Sequence, residues 1–296
     1  MISIFKVALS FDMNADTAKP MRFEADGHII LCGDALENLG RMDSESVDLV
    51  FADPPYNIGK NFDGLKENWS ENDFLDWSFK WIKACHRVLK PFGTFYLMNS
   101  TENMPHLDLK CRALFTVKSR IVWCYDSSGV QAKRYFGSMY EPLLMLTKHA
   151  DRYTFNDKEI LVEARTGAKR KLIDYRKEPP RPYNSRKVPG NVWTFPRVRF
   201  KMKEYENHPT QKPEALLERI IKVSSNPGDT VLDPFAGSFT TCSVAKKLGR
   251  KSIGFEINET YIKMGIRRLG LPSPYSEKEL IKEKKRKTNH RSKNVR

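Results

Sequence analysis

The 296-residue sequence predicts an α/β fold with a doubly wound, mainly parallel sheet. Short apolar runs of strand length alternate along the chain with segments of helical periodicity, which is typical of βα units. Two of these runs, one in each half of the chain, end abruptly in turns that begin with aspartate and proline. A basic segment of different character separates the two halves and predicts an inserted module.

The first predicted elements lie before residue 60. Residues 28–34 predict a strand that ends at Gly33-Asp34, and a short helix is expected to begin at residues 35–39. Residues 47–52 are apolar apart from one aspartate and predict a strand buried in a parallel sheet. Two prolines then stop this strand, because proline has no N–H to give to a ladder of hydrogen bonds.

Apolar residues recur at helical spacing from residue 74 to residue 89 and predict an amphipathic helix. A turn at 91–93 leads into a predicted strand at 94–98, and two further strands are expected at 120–125 and 142–146. The aromatic residues of the helix are interpreted as core rather than ligand contacts: Phe74, Trp77, Phe79 and Trp81.

Positive charge is concentrated in two segments. Of the formal net charge of +15, residues 151–203 carry 15 Lys/Arg against 6 Asp/Glu, and residues 276–296 carry 9 against 3. The rest of the chain is neutral, so the pattern is typical of an enzyme body fitted with a surface that binds a polyanion such as nucleic acid. The alternative is basic charge that only keeps a loop solvated.

Residues 151–203 are also rich in proline and show no sustained helical period. We predict an irregular module docked on the main body rather than a disordered linker. Its aromatic residues supply the apolar material for docking: Tyr153, Phe155, Tyr175, Tyr183, Trp193 and Phe195.

The alternation of elements resumes after this segment. A helix is expected at 213–223, a strand at 230–233, a helix at 241–248 and a strand at 252–256. The last 20 residues or so are charged and poor in apolar content, which predicts a frayed tail.

Asp53-Pro54-Pro55-Tyr56 follows the buried strand at 47–52 and is the most informative motif. Asp53 and the carbonyl of Pro54 offer hydrogen-bond acceptors with no competing donor from the prolines, and Tyr56 adds a flat face. This combination suits a planar group that carries an amino substituent, such as a nucleobase. The alternative is an ordinary turn with a capping aspartate.

Residues 231–241 predict a second strand, a turn of small residues and the start of a helix. Backbone amides in such a turn approach a ligand closely, and the helix N-terminus favours anionic groups. The segment lacks the GxGxxG pattern, so a pyrophosphate is not expected.

Glu256 ends the next predicted strand, where an acidic residue commonly binds the two ribose hydroxyls of an adenosine. An adenosine cofactor with an amino-acid carboxylate would suit both features, and S-adenosylmethionine is the obvious candidate. The alternative is a tightly packed connection with a solvent-facing glutamate.

Three motifs together resemble those of amino-methylating DNA methyltransferases: Asp53-Pro54-Pro55-Tyr56, the FxG turn Phe235-Ala236-Gly237, and the segment from His208 to Pro213, His-Pro-Thr-Gln-Lys-Pro. Their order, with the catalytic loop first and the cofactor loop last, resembles the β class, and residues 56–64 and 99–104 resemble solitary bacterial adenine-specific enzymes. The resemblance spans residues 28–268. It implies the class I S-adenosylmethionine-dependent methyltransferase fold in a permuted motif order, and methylation of adenine N6 in double-stranded DNA.

The resemblance also implies roles for individual residues. In the catalytic motif completed by Pro55, Asp53 and the Pro54 carbonyl would accept the amino hydrogens of a flipped adenine on which Tyr56 stacks. Transfer would be direct, without a covalent enzyme intermediate. Of the preceding segment, His208 and Thr210 are expected to be structural, with Thr210 capping the helix that begins at Pro213.

The cofactor contacts implied by the resemblance fall into three groups. Asp34, Ala35 and Leu36 would flank the adenine, and Glu256 would bind the ribose. The turn that contains Phe235 would place Gly237, Ser238 and Thr240 at the methionine carboxylate, with Lys212 as a charge partner.

The predicted domain organisation has four parts. Residues 21–150 form the catalytic half of the methyltransferase domain, 151–206 the target-recognition insert, 207–275 the cofactor-binding half and 276–296 a basic tail. The insert would contact double-stranded DNA, mostly at phosphates, through its arginines: Arg152, Arg165, Arg176, Arg181, Arg186, Arg197 and Arg199.

Several alternative functions fit parts of the sequence. Methylation of cytosine N4 uses the same chemistry, although that family more often has serine in place of Asp53. Methylation of the cytosine ring needs a Pro-Cys nucleophile, and none of the five cysteines follows a proline. Protein glutamine methyltransferases have the reverse motif order. A non-catalytic DNA-binding protein would explain the charge but leave both motifs as coincidence.

The remaining composition predicts a cytoplasmic protein, and the resemblance implies a bacterial protein associated with the nucleoid. The scattered cysteines show no metal-ligand spacing and are interpreted as free thiols, and no apolar run approaches the ~20 residues that span a bilayer. We therefore expect no metal and no membrane contact. A homodimer is left open, and a partner restriction nuclease is not indicated.

Overall fold

The computed structural model describes residues 21–59, 61–62, 65–66, 68–126, 133–164 and 170–280. The predicted tail lies almost wholly outside these ranges. The strands of the described chain are β1 (Arg22–Ala25), β2 (His28–Cys32), β3 (Val47–Ala52), β4 (Asn61–Phe62), β5 (Leu65–Lys66), β6 (Leu89–Met98), β7 (Thr116–Cys124), β8 (Tyr140–Thr147), β9 (Val162–Glu163), β10 (Ile173–Asp174), β11 (Arg181–Pro182), β12 (Arg186–Lys187), β13 (Val192–Thr194), β14 (Thr230–Asp233) and β15 (Lys251–Glu256).

One sheet of nine strands organises the described residues, in the order β1-β2-β15-β14-β3-β6-β8-β7-β13. The pairs from β2 to β6 are all parallel, and β13 is parallel to β7. β1 and β8 run against their neighbours. This mainly parallel sheet confirms the predicted fold class.

Helices cover both faces of the sheet. They are α1 (Ala35–Arg41), α2 (Glu71–Val88), α3 (Met104–Cys111), α4 (Glu214–Ser224), α5 (Thr240–Lys247) and α6 (Glu259–Leu269). α1 to α3 pack through Leu39, Trp81 and Leu107 into one core cluster with alternate residues of the central strands. α4 to α6 pack on the opposite face. Burying both faces explains why the central strands read as continuous apolar runs.

The sequence located most of the longer elements to within a few residues, although it did not predict β1, α3 or α6. A further difference lies in the middle of the chain. The turn expected at 91–93 is instead part of β6, because Leu89 already pairs with Val47. The register shifts between Val47 and Leu49, and a Cβ at Gly93 would lie 2.7 Å from the Asp48 carbonyl oxygen. The glycine therefore marks a close approach of two strands rather than a turn.

The insert is tied to the main sheet. Beyond two small antiparallel strand pairs, it contributes β13 to the sheet edge, where Trp193 is buried. Tyr153 and Phe195 pack against the same core cluster, whereas Tyr175 and Phe155 are exposed. The docking that aromatic content predicted thus depends on only part of the aromatic set.

Candidate active site

Neighbouring parallel strands end at one edge of the sheet, and a predicted site residue stands at each end. Asp34 follows β2, Glu256 closes β15, Phe235 follows β14 and Asp53 follows β3. Because these strands are adjacent in the order β2-β15-β14-β3, the four chain segments line one continuous edge. Ligands of open α/β sheets bind at this carboxyl-terminal edge.

The turn after β14 presents its backbone to this edge. Gly237 has φ +47°, and its N–H donates to Glu256 Oε2 at 2.8 Å. Phe239 also has a positive φ of 55°, and its ring is fully buried against Gly254 and Gly265. The left-handed conformations let the turn fold back over β15 before α5 begins.

Glu256 is held by backbone donors. Besides Gly237, its Oε1 accepts from the N–H groups of Ile257 at 3.0 Å and Asn258 at 2.8 Å. Burial raises the pKa of Glu256 to about 7, against these amides, which favour the ionised form. A carboxylate offers roughly four lone-pair positions, so acceptor capacity remains for hydroxyl donors.

Ser238 and Thr240 have partners inside the protein. Their hydroxyl oxygens lie 2.9 Å apart, and Arg268 donates to the Ser238 carbonyl at 2.7 Å and to Thr240 Oγ1 at 2.9 Å. Both hydroxyl residues are buried. The guanidinium of Arg268, which sequence reasoning did not identify, adds positive charge to the turn predicted to hold a carboxylate.

The segment predicted to flank the adenine starts α1. Asp34 caps this helix, accepting from the N–H groups of Leu36 at 2.8 Å and Glu37 at 3.1 Å. Ala35 is buried, and Leu36 packs against the same core cluster as Phe235. The Phe235 ring itself lies 5.0 Å from the Trp81 ring, in edge geometry.

These residues fit S-adenosylmethionine. The ligand has a carboxylate, two ribose hydroxyls and a flat purine. The edge offers backbone amides with Arg268 behind them, the partly buried carboxylate of Glu256 with spare acceptor capacity, and the apolar residues Leu36 and Phe235.

Asp53 lies in a compact charge cluster. Its Oδ2 is 2.7 Å from Lys212 Nζ, and its Oδ1 accepts from the Tyr56 hydroxyl at 2.5 Å. Both donors also reach Glu141 Oε2, at 3.3 Å from Lys212 and 3.2 Å from Tyr56. The side chain of Lys212 is only 7% exposed. We call Asp53, Tyr56, Glu141 and Lys212 the catalytic cluster.

Each charge of the catalytic cluster shifts the others. Burial raises the pKa of Asp53, Lys212 opposes the rise and Glu141 adds to it, so the pKa lies above its usual range. Burial also pushes the pKa of Glu141 up, but Lys212, Tyr56 and Arg197 outweigh it and lower the pKa. The two carboxylates outweigh burial at Lys212 and raise its pKa. Asp53 is therefore the carboxylate of the cluster that takes up a proton more readily.

The rest of the catalytic motif is fixed by the next strand. Pro54 is buried and Pro55 half-buried. Asn103 donates to the Tyr56 carbonyl at 2.6 Å and to Asn99 Oδ1 at 3.1 Å. Asn99 directly follows β6, so the backbone of the motif is anchored to the neighbouring strand.

The structure separates the predicted arginines into groups. Arg197 stacks over the Tyr125 ring at 5.0 Å and lines the pocket at the catalytic cluster, and Arg199 donates to the Asp126 carbonyl at 3.0 Å. Arg152 stacks on Phe92, six residues before the end of β6 and so about 20 Å from the catalytic edge. Arg176, Arg181 and Arg186 are exposed on the insert, and Arg165 lies outside the described residues.

Lys212 pairs with Asp53 and Glu141, and its role as charge partner of a cofactor carboxylate stays a prediction. One further expectation is wrong. Thr210 does not cap α4; Glu204 accepts from the N–H of Glu214 at 2.6 Å, and Pro213 precedes the helix without a side-chain cap. Proline at that position correctly marked the helix start, but its cap comes from outside the motif.

Sequence reasoning missed Glu141. It lies on β8, and no motif marks it. Because β8 is antiparallel, its first residues share the edge at which β3 and β6 end. Glu141, Tyr56 and Lys212 line one pocket together with Trp123 of β7 and with residues of the insert and the segment before α4: Arg197, Val198, Tyr205, His208, Pro209, Thr210 and Gln211.

Sheet order, the acidic motif after β3 and the turn at residues 234–239 indicate a methyltransferase of the class I fold that acts on amino groups. We call this turn the cofactor turn, after its predicted role. Two solved structures share the fold. The cytosine-N4-specific PvuII DNA methyltransferase has TM-score 0.65 and 21% identity and covers 89% of this chain and 93% of its own. The M1.HpyAVI–SAM complex has TM-score 0.58 and 24% identity, covering 82% and 98%.

The sequence comparisons identify the family. The N6/N4 methyltransferase family, described as DNA methylase, matches residues 47–267, and the chain belongs to this family. DNA adenine methyltransferase YhdJ of Escherichia coli (strain K12) is 67% identical over 278 residues, 94% of this chain and 95% of the relative. Type II methyltransferase M.HpaI of Haemophilus parainfluenzae is 38% identical over 243 residues, 81% and 73% of the two chains.

Within the described residues, no helix is long and apolar enough to cross a membrane. No group of three or more His, Cys, Asp or Glu residues there could hold a metal ion.

Proposed function

We propose that this protein transfers a methyl group from S-adenosylmethionine to the N6 amino group of adenine in double-stranded DNA. The observation that carries the proposal is the position of Asp53. Its carboxylate ends the strand beside the cofactor turn and lies within one cluster with an aromatic ring and a buried lysine. Similarity to a DNA adenine methyltransferase along 94% of the chain supports adenine as the base.

Asp53 and the carbonyl of Pro54 act on the amino group as paired acceptors. The lone pair of that nitrogen is delocalised into the ring, which makes it a poor nucleophile. Two acceptors on its hydrogens raise the electron density at nitrogen and favour a pyramidal geometry. The cofactor supplies an activated methyl group on a sulfonium centre. Rigid placement of the acceptors contributes through orientation and electrostatic preorganisation.

Asp53 also accepts the proton that the methylated nitrogen loses. Its pKa lies above the usual range, so it is the better base of the two clustered carboxylates. The N–H electron pair stays on nitrogen, and the proton moves to an Asp53 oxygen and then to solvent. Tyr56 releases that carboxylate and stacks on the base, offsetting part of the few kcal/mol that extrusion from the duplex costs.

The DNA-facing surface consists of the insert and the arginines beside the catalytic cluster. We assign residues 151–206 to target recognition, between catalytic and cofactor-binding halves at 21–150 and 207–275. Exposed arginines there supply affinity that falls with salt. A substrate of this kind places the enzyme at the nucleoid. A homodimer stays an open possibility, which sedimentation with and without DNA tests.

Replacing Asp53 by alanine tests the catalytic assignment. We expect transfer of a radioactive methyl group into DNA to fall by about 100-fold or more, because the amino group loses its charged acceptor. Affinity for the cofactor, measured by calorimetry, should change little. Asp76→Ala is the matched control, since that carboxylate is 75% exposed on α2. Near-normal methylation by the Asp53 variant would refute the assignment.

The base and the recognition sequence are determined together in cells. DNA from cells with and without the gene is sequenced by a method that detects methylated bases, and its nucleosides are analysed by mass spectrometry. N6-methyladenine at one sequence is the expected product. N4-methylcytosine instead would show that the alternative amino substrate is correct.

A further inference from the structure

Glu141 is the one member of the catalytic cluster that no sequence motif marks. It is 17% exposed and lies on β8, which belongs neither to the Asp53 motif nor to the cofactor turn. It nonetheless shares both donors that bind Asp53: the ammonium of Lys212 and the hydroxyl of Tyr56. The Tyr125 hydroxyl adds a third donor at 3.4 Å.

Because Glu141 shares these donors with Asp53, it can accept the Tyr56 hydroxyl when the adenine amino group binds to Asp53. When that group bonds to Asp53, it competes for Oδ1 with the Tyr56 hydroxyl, which is bonded there at 2.5 Å. A buried hydroxyl without an acceptor costs about 1–3 kcal/mol. Glu141 Oε2 lies 3.2 Å from the same hydroxyl and can keep it bonded throughout the exchange.

The charge of the catalytic cluster is a second reason for a carboxylate at position 141. One lysine serves two carboxylates, so the catalytic cluster has a net charge of −1 when both are ionised. With Lys212 alone, Asp53 would be neutralised by its partner, and a neutralised carboxylate is a weaker acceptor and a weaker base. The second carboxylate offsets that pairing in surroundings where charges are poorly screened.

We propose that Glu141 is a positioning residue of the methyl-transfer reaction, which takes over Lys212 and Tyr56 so that Asp53 is free to bind the adenine amino group and remove its proton. The proposal rests on the proposed function. The charged and titratable groups that face Asp53 and Glu141 come from several elements: Lys212 before α4, Tyr56 after β3, Tyr125 after β7, Arg197 after β13 and Asp233 at the end of β14.

Glu141→Gln tests the proposal, because glutamine keeps the shape and one carbonyl acceptor but removes the charge. We expect kcat to fall by about 10- to 100-fold, with KM for duplex DNA and for cofactor changed less than about twofold. Removing a negative neighbour stabilises ionised Asp53 and lowers its pKa. Since Asp53 must be ionised to accept, the acid limb of the kcat–pH profile should move to lower pH.

Glu141→Asp is the companion variant. It keeps the charge, so it should regain part of kcat with the acid limb at the wild-type position. Calorimetric cofactor binding by each variant shows that the protein is folded. An unchanged kcat in Glu141→Gln, or a loss of kcat without movement of the acid limb, would overturn the proposal. An inactive wild-type protein would instead contradict the proposed function itself.

Discussion

Gly237 combines a left-handed backbone with a space that a side chain would have to share. Its φ is +47°, and a Cβ built there would lie 2.8 Å from His208 Nε2. The His208 ring also packs on the Tyr261 ring at 4.5 Å, so it has little room to move. His208 thus packs between the cofactor turn and Tyr261. This packing is the structural role that the sequence predicted for it.

Gly237→Ala should weaken cofactor binding by about tenfold or more. The left-handed backbone costs an alanine roughly 1–2 kcal/mol, and the clash with His208 adds to it. Calorimetric titration with the cofactor measures the weakening. A double-mutant cycle separates the two causes. The double variant, with Gly237→Ala and His208→Ala, should regain the cofactor affinity that the clash removes but not the affinity that the backbone strain removes. Full additivity would show that the two residues do not interact.

Strand ends could be located from sequence because apolar runs and prolines mark them locally. The strand at 47–52 has the predicted bounds, and Asp53 follows it directly. The partners of Asp53 could not be located in this way, since Glu141 reaches it only through the antiparallel course of β8 between β6 and β7. Lys212 was identified by its motif, yet its pairing with Asp53 depends on the same three-dimensional arrangement.

The connection between β7 and β8 contains exposed aromatic and basic residues that no sequence motif marks. In its described part, Tyr135 and Phe136 are exposed directly after Lys133 and Arg134. Phe136 precedes Glu141 by five residues, a span of at most about 18 Å. A cationic stretch with an exposed aromatic ring within that distance of Glu141 is suited to phosphates and to the gap left by an extruded base.

Phe136→Ala is expected to lower kcat/KM by about tenfold on a duplex whose target adenine is paired. The reduction should be less than about twofold when that adenine is mispaired, because opening the pair then costs less. Methyl transfer into the two duplexes is measured side by side. Phe92→Ala, at the opposite end of β6, is the matched control, since that ring is also exposed. Equal reductions on both duplexes would contradict a role in base extrusion.

Positive and negative charge lie in different parts of the molecule. Residues 151–203 of the insert carry an excess of nine positive charges, whereas the catalytic cluster is mostly buried and net negative. The sequence predicted the first feature from composition alone. It could not rank the arginines, because ranking depends on distance from the catalytic edge: Arg197 lies beside it, and Arg152 is removed from it by most of the length of β6.

This arrangement predicts how DNA affinity depends on salt. Removing one protein–phosphate ion pair reduces the slope of log K against log salt by about 0.9. Arg181 and Arg186 are exposed on the insert, so replacing both by alanine should reduce the slope by about 1.8 if both bind phosphates. Arg152→Ala should leave it unchanged. Fluorescence anisotropy of a labelled duplex at several salt concentrations measures the slopes, and an equal effect of Arg152 would place the DNA across a different face of the sheet.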